Sequence, residues 1–352
     1  MHRQRQQPGH HEAISEPDEE GEASAHRANI EAPHAVHQSR PISANWSCVP
    51  TIRRAARARS IFWMVRSGCR NSFPPHIGRR PRAAEPYWQS MPSILQREPL
   101  LSALPKAWRA ALSHARIEPV EGGMSDASVF RVGSSHYLKI AQGVGAHDLR
   151  QEIERTAWLA QRGVLVARAV RVHDGGDLVA VLSETLEGSS ADETHLAPEI
   201  VVPALARALA ALHAVPAADC PFDESIAMRL RRAGALIARD EVDPRAFAPR
   251  NRDVSPAALL DRLSRGRPDE SVVVAHGDAT LSNLIIRDDL SVGFIDCGHA
   301  GRADRYLDIA LVVEGLAERF GSASADGFMA AYGAPEFDRR RASYFLDLYE
   351  LF

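Results

Sequence analysis

Asp278, Asn283 and Asp296 are the side chains whose types and spacing point most directly to chemistry in this sequence. Asp278 closes the triplet His276-Gly277-Asp278, Asn283 comes after four intervening residues, and Asp296 follows a second apolar segment. A carboxylate that accepts or orients the proton of an attacking hydroxyl, with an amide oxygen and a second carboxylate for a hard divalent cation, is the set that phosphoryl transfer uses. That reaction also needs a fixed cation on the α- and β-phosphates. The chain has only two lysines, Lys106 and Lys139, against 40 arginines. Lys106 follows Pro105 at a helix start and reads as a solvated charge, whereas Lys139 lies inside the strand-like segment 135–140.

The elements around these residues decide whether they meet. Apolar residues 272–275 lead into the triplet, 284–286 turn at Asp288 and Asp289, and 292–295 return to deliver Asp296, so a hairpin brings Asp296 beside the loop of Asp278 and Asn283. Upstream, an opening helix, a strand near 116–120, a turn at Gly122 and Gly123, a strand at 128–132 and the strand of Lys139 predict an antiparallel meander. The loop 122–127 offers backbone N–H groups and the Ser125 hydroxyl to a phosphate. A helix over 146–161 puts Leu149, Ile153, Ala157 and Ala160 on one stripe, with Glu152 beside it and in reach of Lys139. Strand-like stretches at 165–172 and 178–182 precede a polar break at 183–190 that reads as a linker between lobes. From 195 onward the pattern is mainly helical: Val202, Leu205, Leu209 and Leu212 repeat at helical spacing until Pro216, with His213 reading as a packing residue. The segment carrying the triplet is the one strand-rich interruption.

Composition limits the classes that remain. With 45% hydrophobic and 25% charged residues in 352, the chain has apolar material for one large or two ordinary domains, which excludes a wholly disordered or fibrous protein. No apolar run is long enough for a membrane-spanning helix, and a net charge of −3 argues against a general nucleic-acid binder. Cys48, Cys69, Cys220 and Cys297 form no CxxC pair, so neither a disulfide framework nor zinc spacing is offered, and a reducing cytoplasm is the simplest location. All 30 leucines fall at Leu95 or later, while residues 1–90 hold 9 of the 22 prolines and 13 basic against 8 acidic residues. Residues 1–90 are therefore expected to be a disordered extension, explained by a start codon upstream of Met91. The remainder carries 29 basic and 37 acidic residues, a net of −8. It is expected to divide into a nucleotide-binding lobe, 91–187, and a catalytic and substrate-binding lobe, 188–352.

With these motifs the sequence resembles the aminoglycoside phosphotransferase family, and within it the 3'-phosphotransferases that act on kanamycin and neomycin. The resemblance runs over 101–352 and rests on HGDATLSN at 276–283, GFIDCG at 293–298, ADRYLDIAL at 303–311, CPFD at 220–223 and the terminal YELF. It implies an α+β, protein-kinase-like bilobal fold: a small antiparallel-sheet N-lobe with one main helix, and a larger, mostly helical C-lobe. It also implies ATP, Mg²⁺, a monomer or weak homodimer, and transfer of the γ-phosphate to an aminoglycoside hydroxyl that confers resistance. Residue by residue, Asp278 resembles the catalytic aspartate, Asn283 and Asp296 the magnesium ligands, and Lys139 and Glu152 the phosphate-anchoring pair. Ser125 resembles a phosphate-loop contact, 183–186 the adenine hinge with Ser183 and Thr185, and His276 and Asp308 the supports of the catalytic loop.

The departures concern the acceptor. Phe247-Ala248-Pro249-Arg250 stands where the family often has an acidic loop, His299 where it has an arginine, and Gly315 where an aspartate is common. The acidic groups left for a polycationic sugar are Glu318, Glu350 and the C-terminal carboxylate of Phe352. A related kinase for another antibiotic, a sugar, choline or homoserine is the alternative reading. A non-catalytic nucleotide-binding module is opposed by the joint presence of Lys139, Asp278 and Asp296.

Overall fold

Alternation along one strand places the lysine. In β3 (His136–Gln142), Leu138 and Ile140 are fully buried on one face of the sheet, so Lys139 and Ala141 face the other. The computed structural model describes residues 94–120, 127–334 and 336–352. All of them lie within one unit of the chain, 58–352; the expected extension 1–90 is outside the described residues.

The first lobe is a five-stranded antiparallel sheet in the order β1-β2-β3-β5-β4, formed by β1 (Ile117–Pro119), β2 (Ser128–Val132), β3, β4 (Ala169–Asp174) and β5 (Leu178–Glu184). Phe130, Val132, Leu138, Ile140 and Ala180 pack on Leu104, Trp108 and Leu112. The opening segment is two helices rather than the single one expected, α1 (Ile94–Ala103) and α2 (Lys106–Leu112), because Pro105 cannot continue α1 and instead caps α2. On the opposite face Ala141, Val179 and Val181 pack against Ala146 and Leu149 of α3 (Val144–Gln161). The expected α3 stripe needs correction: Ala157 is exposed, and Arg155 is buried instead because its charge is paired across the lobes. Within the expected strand 165–172 only β4 is regular. Val166 instead bridges Phe294 of the second lobe, and β5 extends to Glu184, which shortens the polar break.

The second lobe is helical around α4 (Pro198–His213), α5 (Ile226–Ala238), α6 (Pro256–Arg265), α7 (Tyr306–Phe320), α8 (Ser324–Tyr332) and α9 (Arg339–Tyr349). Leu205, Leu209 and Leu212 of α4 meet Ile309, Val312 and Leu316 of α7, with Phe328, Phe345 and Leu348, in its core. More strand is present than the single interruption expected. β7 (Val272–Ala275) pairs antiparallel with β10 (Gly301–Asp304), and β8 (Leu284–Ile286) lies between β6 (Ser189–Ser190) and β9 (Val292–Phe294). In the antiparallel β8–β9 hairpin β8 has the expected limits, while β9 stops at Phe294, one residue short of the expected 292–295. Both missed strands are too short for period-two alternation to register. Among the described residues no helix is long and apolar enough to cross a membrane, and Cys220 and Cys297 are buried and free.

Candidate active site

Lys139 pairs in the sheet with Val129 and Val181, so its backbone is fixed at the centre of the first lobe. Its ammonium donates to Glu152 Oε1 of α3 at 2.6 Å and also to Asp296 Oδ1. Burial pulls the Lys139 pKa down, but the Glu152 and Asp296 carboxylates together hold it above its ordinary value. Asp296 follows β9 in a left-handed backbone conformation (φ 56°, ψ 49°), rare for a residue with a side chain and costly enough to persist only where the surroundings enforce it. Its side chain is 47% exposed, which leaves it open to a further partner.

Asp278 follows β7 in a loop tied down from below. Asp308, in the first turn of α7 and fully buried, accepts from the His276 amide at 2.7 Å, the Gly277 amide at 2.8 Å and His213 Nε2 at 3.0 Å. Burial alone would raise the Asp308 carboxyl, but these bonds and the adjacent histidines keep its pKa below the usual carboxylate value. His213 is thus a polar brace for Asp308, not the packing residue its apolar helix face suggested. His276 bonds the Ile295 carbonyl at 2.8 Å and receives the Asp278 amide at 3.3 Å. Gly277 adopts φ +82°, and a Cβ there would lie 2.1 Å from the His299 carbonyl oxygen, so no other residue fits this turn.

Asn283 joins the two sets. Its Nδ2 donates to the Asp278 carbonyl at 2.9 Å and to Asp278 Oδ2 at 3.0 Å, and its own carbonyl receives the Ile295 amide at 3.1 Å. The Asp278 pKa is raised, mainly by burial and in part by the charge of Asp296, so the two carboxylates share one field. Lys139, Glu152, Asp278, Asn283 and Asp296 are therefore brought together, with His276 and Asp308 behind them.

The other expected contacts are distributed differently. Ser125 lies outside the described residues. Ser183 is inside β5, paired with Tyr137 and Ala169, while the Thr185 amide donates to the Ser135 carbonyl at 2.8 Å and its hydroxyl is buried without a hydrogen-bond partner among the described residues. Glu318 is exposed on α7, its pKa raised by partial burial and by Glu314. Glu350 is engaged by Arg250 Nη2 at 2.8 Å, Asn251 Nδ2 at 3.0 Å and the Ala248 amide at 3.3 Å. Arg250 and Asn251 also hold Asp347, at 2.6 and 2.9 Å, and Arg262 reaches it at 2.9 Å. The Phe352 ring is exposed and lies beneath the Arg229 guanidinium at 5.3 Å. Gly315, noted as a departure from the family's common aspartate, packs so closely on Leu281 that a Cβ would lie 2.8 Å from its Cγ, so the catalytic-loop leucine fills the space a side chain would need.

Several residues that sequence reasoning passed over support the same site. Arg155 of α3 donates to Glu224 Oε1 at 2.6 Å and to the Ala300 carbonyl at 3.0 Å, while Arg232 holds the other Glu224 oxygen at 2.8 Å. Arg229 lies beside Glu224 and donates to the Gly277 carbonyl at 2.8 Å. This buried cluster ties the helix of Glu152 to the loop of Asp278. CPFD immediately precedes Glu224, and YELF contains Tyr349, whose hydroxyl reaches Asp278; both motifs were noticed without a role for those two residues.

An antiparallel-sheet lobe joined to a helical lobe, with a lysine strand, a glutamate helix and an aspartate loop in order, is the protein-kinase-like fold. The model of the "Phosphotransferase enzyme family" matches residues 116–345. The chain is similar to the aminoglycoside 3'-phosphotransferase of Niallia circulans, 33% identical over 224 residues covering 62% of this chain and 85% of that one. It is similar also to the streptomycin 3''-kinase of Streptomyces griseus, 35% identical over 248 residues covering 65% of this chain and 90% of that one. Among solved structures, the aminoglycoside phosphotransferase APH(3'')-Id from Streptomyces rimosus in complex with ADP and streptomycin superposes with a TM-score of 0.61 at 31% identity, covering 69% of this chain and 95% of that one. The chain belongs to the aminoglycoside phosphotransferases of this enzyme family.

Proposed function

We propose that the chain transfers the γ-phosphate of ATP to a hydroxyl of an aminoglycoside, the 3'-hydroxyl of the kanamycin and neomycin class, and so confers resistance. The observation that carries this reading is the convergence of Lys139, Glu152 and Asp296 with Asp278 and Asn283 in a member of this family. Asp278 takes the proton of the acceptor hydroxyl, whose oxygen bonds to the γ-phosphorus as the bond to the bridging β–γ oxygen breaks and ADP leaves. Lys139, held by Glu152, anchors the α- and β-phosphates. Asp296 and the amide oxygen of Asn283 are the donors that would hold Mg²⁺. An all-oxygen pair with one carboxylate suits an ion that completes its shell with phosphates and water, and Asp296 already takes a cation, the Lys139 ammonium. Magnesium, when bound, neutralises charge on the phosphates. Asn283 then has two tasks, because its Nδ2 steadies Asp278.

A second reading, transfer to the 3''-hydroxyl of a streptomycin-like acceptor, is favoured by the similarity to the streptomycin 3''-kinase of Streptomyces griseus. The test is a coupled ADP-release assay on the full chain with kanamycin, neomycin, streptomycin, choline and homoserine, followed by mapping of the phosphorylated hydroxyl. Turnover of an aminoglycoside is expected, and none with choline or homoserine. Absence of aminoglycoside turnover at millimolar concentration would sink the substrate class, and modification only at 3'' would move the assignment to the second reading.

A further inference from the structure

Tyr349 is the last residue of α9, and its hydroxyl donates to Asp278 Oδ1 at 2.8 Å. The other oxygen, Oδ2, accepts from Asn283 Nδ2 at 3.0 Å, so a neutral donor holds each oxygen of this carboxylate. The phenol is held firmly. Leu348 before it and Leu351 after it are fully buried, and Asp347 is tied down by Arg250, Asn251 and Arg262. Burial and the adjacent Asp278 charge push the Tyr349 pKa up, so the hydroxyl keeps its proton and acts toward the carboxylate as a donor.

We propose that Tyr349 is a positioning residue for phosphoryl transfer: together with Asn283 it sets the plane of the Asp278 carboxylate, so that an unused lone pair faces the acceptor hydroxyl. This rests on the role given to Asp278 above. Each carboxylate oxygen has two lone pairs, and the phenol uses one of those on Oδ1, so the acceptor binds without displacing it. The χ2 torsion of an aspartate is broad, and among the described residues only the Asn283 hydrogen bond restrains it once the phenol is gone. Reaction geometry tolerates such freedom poorly, since the acceptor proton and oxygen must line up with the γ-phosphorus at the same moment. Arg229, which holds the carbonyl of the preceding Gly277, fixes the main chain but makes no hydrogen bond to the carboxylate. Among the described residues its orientation therefore falls to Asn283 and Tyr349.

The experiment is a double-mutant cycle on the full chain, using wild type, Tyr349→Phe, Asp278→Asn and the double variant, with kanamycin and streptomycin as acceptors. Tyr349→Phe should lower kcat about tenfold while KM for ATP and for the acceptor stays within about twofold and the melting temperature is unchanged. In the Asp278→Asn background the same change should cost less than about twofold, because the group it positions is already gone. Losses that multiply, a kcat equal to or above wild type, or a rise in acceptor KM at constant kcat would overturn the proposal. Should Asp278→Asn itself retain wild-type turnover, the role of Asp278 falls and this inference falls with it. A slow Asp278→Asn beside an unimpaired Tyr349→Phe would sink the inference alone.

Discussion

On the side proposed for the nucleotide Lys139 stands between two carboxylates, Glu152 and Asp296, whereas on the side proposed for the acceptor Asp347 and Glu350 are matched by Arg250 and Arg262. The first group carries one more negative than positive charge, and Asp296 is half exposed, so the group is ready to receive a cation. The second group balances to zero before any ligand arrives. The mechanical support differs as well: buried Arg155 and Glu224 pin α3 to the second lobe, while Arg250 is 38% exposed. The nucleotide half is held rigid around a spare charge, and the acceptor half has spent most of its charge on its own shape. Glu314 and Glu318 are the partly exposed acidic side chains of α7, Glu314 under the influence of Arg250, and they are the groups proposed to attract a cationic acceptor.

The strongest way to break this comparison is to remove the groups assigned to chemistry and to metal. Asp278→Ala should lower kcat by roughly 10² to 10⁴ while ATP affinity holds, since this carboxylate does not grip the nucleotide. Asp296→Ala should abolish magnesium-dependent nucleotide binding measured by calorimetry. Equal effects of both changes on ATP affinity would overturn the division of roles. The pH profile provides a second reading of Asp278. Its pKa is raised, mainly by burial, and the base works only when deprotonated, so turnover falls as pH drops through that raised value. The acid limb of kcat/KM should therefore lie above the ordinary aspartate value of about 3.9.

How legible these two halves were in the sequence follows from how each is built. Lys139, Asp278, Asn283 and Asp296 sit on strands or on turns between strands, where period-two alternation and hairpin return settle which side chains converge, and β7, β8 and β9 were readable from their apolar runs. Glu152 was placed by helical spacing from Leu149. The acceptor half gave no such pattern. Arg250 meets Glu350, and Arg155 meets Glu224, across separations that no local period encodes. Arg155 was passed over for the same reason: on α3 an arginine looks solvent-facing until its buried partner, 69 positions away, is known. His213 was read as packing because its bond to Asp308 crosses between α4 and α7. Leu351 carries a related lesson, since it is fully buried, and the C-terminus cannot be trimmed simply to test the Phe352 carboxylate.

A smaller effect sharpens the mechanical side of the contrast. Arg155→Ala leaves the Glu224 charge balanced by Arg229 and Arg232 but strips buried Glu224 Oε1 and the buried Ala300 carbonyl of the donor they share. A loss of about 3 kcal/mol is expected from the two unsatisfied acceptors, or roughly 6–12 °C in Tm for a domain of this size. Arg250→Ala, made at a half-exposed site where Arg262 and Asn251 still hold Asp347, should shift Tm by far less. Calorimetric scans of the two variants decide it: equal shifts would mean that the two halves are supported alike.

The smallest effect is electrostatic and concerns acceptor binding. Arg250→Ala frees Glu350 from its guanidinium partner and lifts the positive influence on Glu314, so an acceptor bearing several ammonium groups meets more unpaired negative charge. At low ionic strength the KM for kanamycin should fall about threefold to tenfold while kcat holds, the change expected when binding is strengthened equally in ground and transition states. Salt separates this cause from a change of shape. Charge that Arg250→Ala opens to solvent is screened over about 8–10 Å at physiological ionic strength, so KM should rise with salt more steeply in Arg250→Ala than in wild type, and the two curves should approach each other at high salt. A KM that rises in the variant at every ionic strength would mean that Arg250 serves the acceptor by holding α9 and Tyr349 in place, and that neutralising Glu350 is incidental.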